Sequence, residues 1–435
     1  MNSDKKKTNI TEIVFRVAGI LLLAFYFISL IYLHFNQILY PVTGTFESDL
    51  FAHIEMALDG WGYSIIAIIL RLLMKLPSPI HFASIAVFLS IFEIASVIVT
   101  YMWLKRLKVK ESTSVIFSFI LGFVMPMFIV WVQPYRYAGY QSPSIWHNST
   151  YIVMKLLALL CLCTYLGISK RYKEELKISS LVLFSILLTL TTAVKSSFIL
   201  AFAPAALIFL LIDLYFKVPF KRILLCAMTV IPSIAFMIFQ KIVLFGSDTG
   251  NSIVFDPLYA VYLRTGKPYI TMILSAAFPV IVFLFNIVPV IKDTVKDIKG
   301  RTILRHRVFL FSWTMWFFSF LMLILLRETG ERELDDNFAW GYDFALFALF
   351  VISSVYFINT VKKMYGMLDL KQYAMKINAE KKDEENGKKI KRTSRIKTIL
   401  TILYIEIGCV LLFYHLYCGL YFFVRLLQGA TFFMY

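Results

Sequence analysis

Four carboxylates, Glu47, Asp49, Glu55 and Asp59, fall within thirteen residues that contain no Lys or Arg. Asp49 and His53 are four apart, so on a helix they would share a face. Acids without a basic neighbour beside a low-dielectric phase gain proton affinity, which suits a general base. The same residues would also serve as a helix start, with Ser48 or Asp49 as cap and the acids complementing the dipole. A second stretch, Tyr135 to Thr150, gathers Tyr135, Arg136, Tyr137, Tyr140, Trp146, His147 and Asn148 around Gly139 and Pro143. Ring faces that stack on sugar C–H groups and amides that bond hydroxyls make this a carbohydrate-binding composition. An interfacial aromatic belt accounts for the tyrosines equally well, and less well for Trp146-His147-Asn148. Asn148-Ser149-Thr150 also has the form of a glycosylation acceptor. Lys195, in Lys195-Ser196-Ser197-Phe198, is either a snorkelling cation or a partner for a lipid phosphate. Finally, Arg327 to Tyr342 carries Glu328, Arg332, Asn337 and Trp340 among charges of alternating sign. These charges either neutralise one another at a solvated surface or hold a ligand. Arg264 and Lys267 add cations nearby.

The elements that position these groups are membrane helices. Of 435 residues, 59% are hydrophobic and only 16% charged, including 41 Phe and 24 Tyr. Soluble domains have about 45–50% apolar and about 25% charged residues. A net charge of +17 does not indicate nucleic acid, because the basic residues punctuate apolar runs instead of sharing a face. Runs long enough to cross about 30 Å of hydrocarbon lie at 12–36, 80–104, 112–131, 150–168, 178–194, 198–216, 223–245, 269–291, 308–326, 342–361 and 398–424. The expected fold is therefore an all-α polytopic membrane protein of about eleven transmembrane helices. With Lys5, Lys6 and Lys7 inside, every second connection is basic (105–110, 169–177, 217–222, 292–307 and 362–397). The positive-inside rule then predicts a cytoplasmic N-terminus and an extracytoplasmic C-terminus. All the candidate chemistry falls in the opposite set of connections. Trp61–Pro77, apolar but short, reads as an interfacial helix. Residues 371–397 read as a charged cytoplasmic linker before a final helix at 398–424. The five cysteines lie in apolar stretches without a C-x-x-C pair, which argues against a disulfide framework or a zinc site. No cleavable signal peptide is expected, since the first apolar run is too long. The spans are expected to be poor in ionisable groups, with Glu93, Asp213 and Glu406 the main acids.

No Gly-rich phosphate loop occurs in the basic connections, so any substrate is membrane-borne or extracytoplasmic. The outer loops resemble those of bacterial membrane glycosyltransferases of the GT-C superfamily, of the kind thought to act in cell-surface polysaccharide assembly. The resemblance is carried by Ser48-Asp49-x-x-x-His53, Pro143-x-x-Trp146-His147-Asn148-x-Thr150, Lys195-x-Ser197-Phe198, and Glu328-x-Gly330-x-Arg332 followed by Asn337-Phe338-x-Trp340-Gly341. It spreads over residues 12–345. The chain departs from that pattern with Ser149 and Ser196 where Pro is expected. It also has Glu47 and Asp49 separated by Ser48 in place of an Asp-Glu pair.

The resemblance implies one integral membrane domain, a catalytic core at 12–361, and interfacial helices in the first extracytoplasmic loop. It implies transfer of a sugar from a polyprenyl-phosphate carrier to the hydroxyl of a glycan or lipid-linked acceptor at the bacterial plasma membrane. Asp49 would be the base, with Glu47 and His53 beside it. Trp146, His147, Asn148, Lys195, Arg264, Glu328, Arg332, Asn337 and Trp340 would hold substrate. No cofactor is required on this reading, although the clustered carboxylates permit a divalent metal. The alternatives are a flippase or transporter of lipid-linked saccharides, which needs ionisable groups deep in its spans, and a polymerase or ligase.

Overall fold

A computed structural model describes residues 2–40, 44–60, 62–129, 131, 141–246, 249–302, 304–333, 335, 337–368 and 387–432. The tyrosines 135, 137 and 140, Trp61 and most of the 371–397 linker lie outside the described residues. The fold is a bundle of helices, α1 (Asn2–Leu39), α2 (Asp49–Leu58), α3 (Ile65–Leu73), α4 (Ile80–Arg106), α5 (Glu111–Phe123), α6 (Ser149–Arg171), α7 (Ile178–Val194) and α8 (Ser197–Tyr215). It continues through α9 (Phe220–Met228), α10 (Ile231–Phe245), α11 (Tyr259–Arg264), α12 (Pro268–Lys299), α13 (Arg307–Leu325), α14 (Asn337–Leu368) and α15 (Gly387–Leu427). Among the described residues, nine helices are long and apolar enough to cross a membrane, the α9–α10 pair counting as one. The protein is a multi-pass membrane protein.

The two remaining expected spans are shorter helices, α5 and α7. The expected helix at 112–131 stops at Phe123. Beyond it Val124 is extended, and Pro126 disfavours helix at the residue before it while removing one N–H. The unwound chain at 124–128 lies inside the bundle, where its polar groups need protein partners. The Met125 amide donates to His415 O (3.2 Å), and the Met127 amide to Leu274 O (3.1 Å). His415 Nδ1 bonds Met125 O at 2.6 Å, and the Tyr414 hydroxyl donates to Phe128 O. Gly419 on α15 allows this approach, because a Cβ there would overlap the Phe123 carbonyl. Thirteen helical residues rise about 20 Å and five unwound ones can add up to about 17 Å, so the chain still has the reach to cross about 30 Å.

Elsewhere the expected 223–245 span breaks between α9 and α10, next to Pro232 at the start of α10. The last helix begins at Gly387, not 398. The all-α expectation also misses a short ribbon, β1 (Ser252–Phe255) with β2 (Leu326–Thr329), antiparallel with Ile253 opposite Glu328. It joins the loops that precede α11 and α14.

The core packs Phe198, Phe202, Phe209, Phe311 and Phe344 between α8, α13 and α14. At one end of the bundle Arg307 grips Asp213 with two bonds of 2.6 Å. Glu111 there pairs with Lys105 (2.7 Å) and Arg16 (3.2 Å). The candidate residues occupy the other end.

The spans are less apolar than expected. Glu93 on α4, Lys155 on α6 and Asp343 on α14 are all buried. Each counts as a single interruption in a long apolar run, so hydropathy alone does not reveal that the three converge.

Candidate functional site

A cavity of about 650 Å³ opens where the N-terminal ends of α2, α6, α8 and α14 converge with the end of α10. This is within the range of about 300–1,000 Å³ typical of small-molecule sites. Its walls include Asp49, His53, His147, Asn148, Lys195, Arg264, Glu328, Arg332, Asn337 and Trp340. Five segments far apart in sequence thus meet in one place.

Asp49 is the first residue of α2, with Ser48 as N-cap accepting from the Leu50 amide. Its carboxylate, 29% exposed, faces the cavity. Asn148 Nδ2 donates to Asp49 Oδ2 at 2.7 Å, while Asn148 Oδ1 caps α6 by accepting from the Tyr151 amide (2.9 Å) and the Thr150 hydroxyl (2.7 Å). One amide therefore ties the acid to the start of α6. His147 Nε2 stands 3.8 Å from Asp49 Oδ2. His53 Nδ1 lies 2.8 Å from the Ser149 hydroxyl, so the Ser that replaces an expected Pro supplies a polar partner. Burial holds both His53 and His147 down to about 4, against the pull of Asp49. Both imidazoles are neutral at pH 7 and act as hydrogen-bonding groups.

Lys195 ends α7. Its ammonium donates to the Thr150 hydroxyl (3.1 Å) and sits 4.4 Å from the centroid of the Trp340 ring. Burial lowers its proton affinity to about 8, partly countered by Asp49 and Asp335. Trp340 reaches Lys195 because Gly341 lets α14 touch α8: a Cβ there would stand 2.6 Å from Ser197 O. Ser197 Oγ in turn donates to Asn337 O at 2.9 Å.

The alternating charges of 327–335 divide between two faces, as ribbon geometry requires. Arg327 turns away to Asp256 (2.8 Å) and Glu333 (3.0 Å). Glu328 turns inward, accepts from Asn337 Nδ2 at 2.7 Å, and lies 3.5 Å from Arg332 Nε. Burial raises its proton affinity above that of a free carboxylate. Arg332 also pairs with Asp335 at 3.0 Å. Its charge is thus shared with two acids, leaving Lys195 as the more available cation.

Two expected site residues stand elsewhere. Trp146 is 1% exposed, donates from Nε1 to the Tyr26 hydroxyl (2.8 Å), and packs on Phe123 and Phe423. It is a core residue, because the loop sends its side chain towards α1 and α15 while His147 enters the cavity. Glu47 is exposed and absent from the cavity walls; its role is its carbonyl, which accepts from the Phe432 amide at 3.3 Å.

Residues that sequence reasoning passed over complete the site. The segment after α15 bonds Gly429 O to the Phe46 amide (2.9 Å) and stacks Phe432 on His147, centroids 4.4 Å apart and planes 18° apart. Nothing in the sequence near Phe432 announces this. Met237, Ile238 and Leu244 of α10, with Leu200 of α8, form an apolar wall, and Lys241 stands exposed among them. The convergence of helix N-termini was partly legible from Ser48 and Asn148, cap residues that each follow an outer loop. Such ends carry about half a positive charge each and favour anions.

Among the described residues, no group of three or more His, Cys, Asp or Glu is arranged to hold a metal ion. No protein-family model matches the chain, and no curated protein or solved structure shows significant similarity to it.

Proposed function

We propose that this protein is a GT-C-type membrane glycosyltransferase that moves a sugar from a polyprenyl-phosphate carrier to an extracytoplasmic hydroxyl. The observation that carries this reading is the shared cavity: a carboxylate, a buried ammonium, aromatic rings and an apolar wall line one space. The prenyl chain would lie along the α8–α10 wall. Lys195 and the helix N-termini would hold the phosphate, with Arg332 and Arg264 contributing to the same field.

The acceptor hydroxyl attacks the anomeric carbon and its proton passes to Asp49. The bond to the phosphate oxygen breaks, and the negative charge left on the carrier rests against Lys195. Asn148 fixes Asp49 in position but leaves Oδ1 available for the hydroxyl. His147, Asn337 and Trp340 would orient the sugar. On this reading the cavity faces the outside of a bacterial plasma membrane, with the N-terminus cytoplasmic and the C-terminus extracytoplasmic. Partners would be the lipid-linked donor and a glycan or lipid-linked acceptor.

A transporter reading draws support from one observation, the buried Glu93, Lys155 and Asp343 within the spans.

The deciding experiment uses full-length protein in lipid nanodiscs with a radiolabelled polyprenyl-phosphate hexose. Binding that weakens at least tenfold in the double variant Lys195→Ala, Arg332→Ala, together with turnover lost in Asp49→Asn, supports the transferase. Undiminished binding in the double variant sinks the site assignment. No transfer by wild type, with the label crossing the bilayer of sealed proteoliposomes unchanged in structure, favours the transporter.

A further inference from the structure

Residues 141–150 are buried throughout, although 142–148 form no regular helix or strand. Such a loop inside a membrane bundle must have its carbonyls satisfied by protein. Part of this is local: the Ser142 hydroxyl donates to Ser144 O (2.7 Å). Ser144 Oγ also ties the loop to α5 by donating to Gly122 O (3.0 Å). A charged side chain on α6 supplies a further bond. Lys155, 3% exposed on α6, donates from Nζ to Pro143 O at 3.2 Å. Its ammonium also lies 4.3 Å from the centroid of the Phe347 ring on α14. Glu93 on α4 and Asp343 on α14 are buried acids on the helices that pack against α6.

A buried lysine among membrane helices is expensive, and a hydrophobic residue at 155 would pack there without that cost. What the ammonium adds is a charge-assisted bond to an irregular backbone. We infer that Lys155 is a positioning residue for the cavity: by holding the Pro143 carbonyl it fixes the buried loop that presents His147 and Asn148 to Asp49. This deepens the reading of the cavity as a catalytic site and rests on that reading, although the loop itself is observable without any substrate.

The competing role is that Lys155 is only a counter-ion for two buried acids. The test compares wild type, Lys155→Met, and the triple variant Glu93→Gln, Lys155→Met, Asp343→Asn, each full-length in nanodiscs. Thermal unfolding and amide hydrogen exchange of segment 144–149 are measured, with α13 as the reference segment. Removing the charges together should return the melting temperature towards wild type. The exchange of 144–149 should nevertheless remain about tenfold or more faster than wild type in both variants, the size expected for a lost bond to a charged donor.

Wild-type exchange in the triple variant means that Lys155 is a counter-ion and overturns the inference. So does unchanged exchange in Lys155→Met, or a triple variant that does not fold. Should Lys155→Met alone not fold, the triple variant carries the comparison. Exchange needs neither donor nor acceptor. If it behaves as expected while wild type transfers no sugar, the transferase reading fails and the positioning role stands.

Discussion

Lys195 offers the sharpest pH test of the site. Its ammonium is enclosed by Thr150 and the Trp340 ring, and burial brings its proton affinity down to about 8. The ligand should be a polyprenyl-phosphate sugar, because a phosphodiester keeps one negative charge across neutral and alkaline pH and leaves the protein as the only titrating partner. A lowered base is charged below its pKa and neutral above it, so binding must weaken as pH rises. At pH 7 about 90% of Lys195 is charged and at pH 9 about 10%, from the distance of each pH to about 8. If only the charged form binds, apparent affinity scales with that fraction and falls about tenfold between pH 7 and 9. A bound anion raises the proton affinity, so the midpoint of this loss reports the free protein. Lys195→Arg keeps its charge throughout and should flatten the profile, whereas Lys195→Met should be weak and flat. The assay is equilibrium binding of labelled donor to nanodisc-embedded protein at fixed ionic strength. A flat wild-type profile from pH 7 to 9, or a Lys195→Arg profile with the wild-type slope, refutes the assignment of the phosphate to Lys195.

Asp49→Asn should reduce turnover by about 100-fold or more, the lower end of a general-base contribution, with donor binding nearly intact. Glu47→Gln should change turnover by no more than about twofold, as for a surface substitution of about 0.5 kcal/mol, since its side chain is exposed and away from the cavity walls. The reverse ranking in a single-turnover assay would exchange their roles. Trp146→Ala should lower stability by about 3–5 kcal/mol as a core truncation, read by chemical denaturation. Trp340→Ala should instead weaken donor binding by about tenfold or more through loss of the buried cation–π contact; equal effects of both on binding would argue against the division. Gly341→Ala should cost about 1–3 kcal/mol by forcing α14 from the Ser197 carbonyl, and a melting temperature equal to wild type would count against that contact.

Hydropathy alone located the membrane-crossing regions, because a helix in lipid must be apolar along its whole length. Strict alternation of connections then grouped the candidate loops at one end of the bundle, where Asp49, His53, Asn148, Lys195 and Trp340 indeed share a cavity. What sequence could not supply was direction and partner. Trp146 and His147 are neighbours of similar polarity class, yet one lies in the aromatic core with Tyr26 and the other on Asp49. Only the packing of α1 and α15 against the loop decides between them. An apolar run likewise reads the same whether it is a helix or the extended chain of 124–128. His415, nearly 300 residues away, supplies the carbonyl and the ring nitrogen that let the backbone unwind there. Phe432 enters the site through the backbone bonds of Gly429 to Phe46 and of Phe432 itself to Glu47, and backbone groups leave no trace in residue type. Glu93, Lys155 and Asp343 each appear as a lone charge in an apolar run. Their burial on three helices within reach of one another is fixed by the rotation of each helix about its axis, which tertiary packing determines and composition does not.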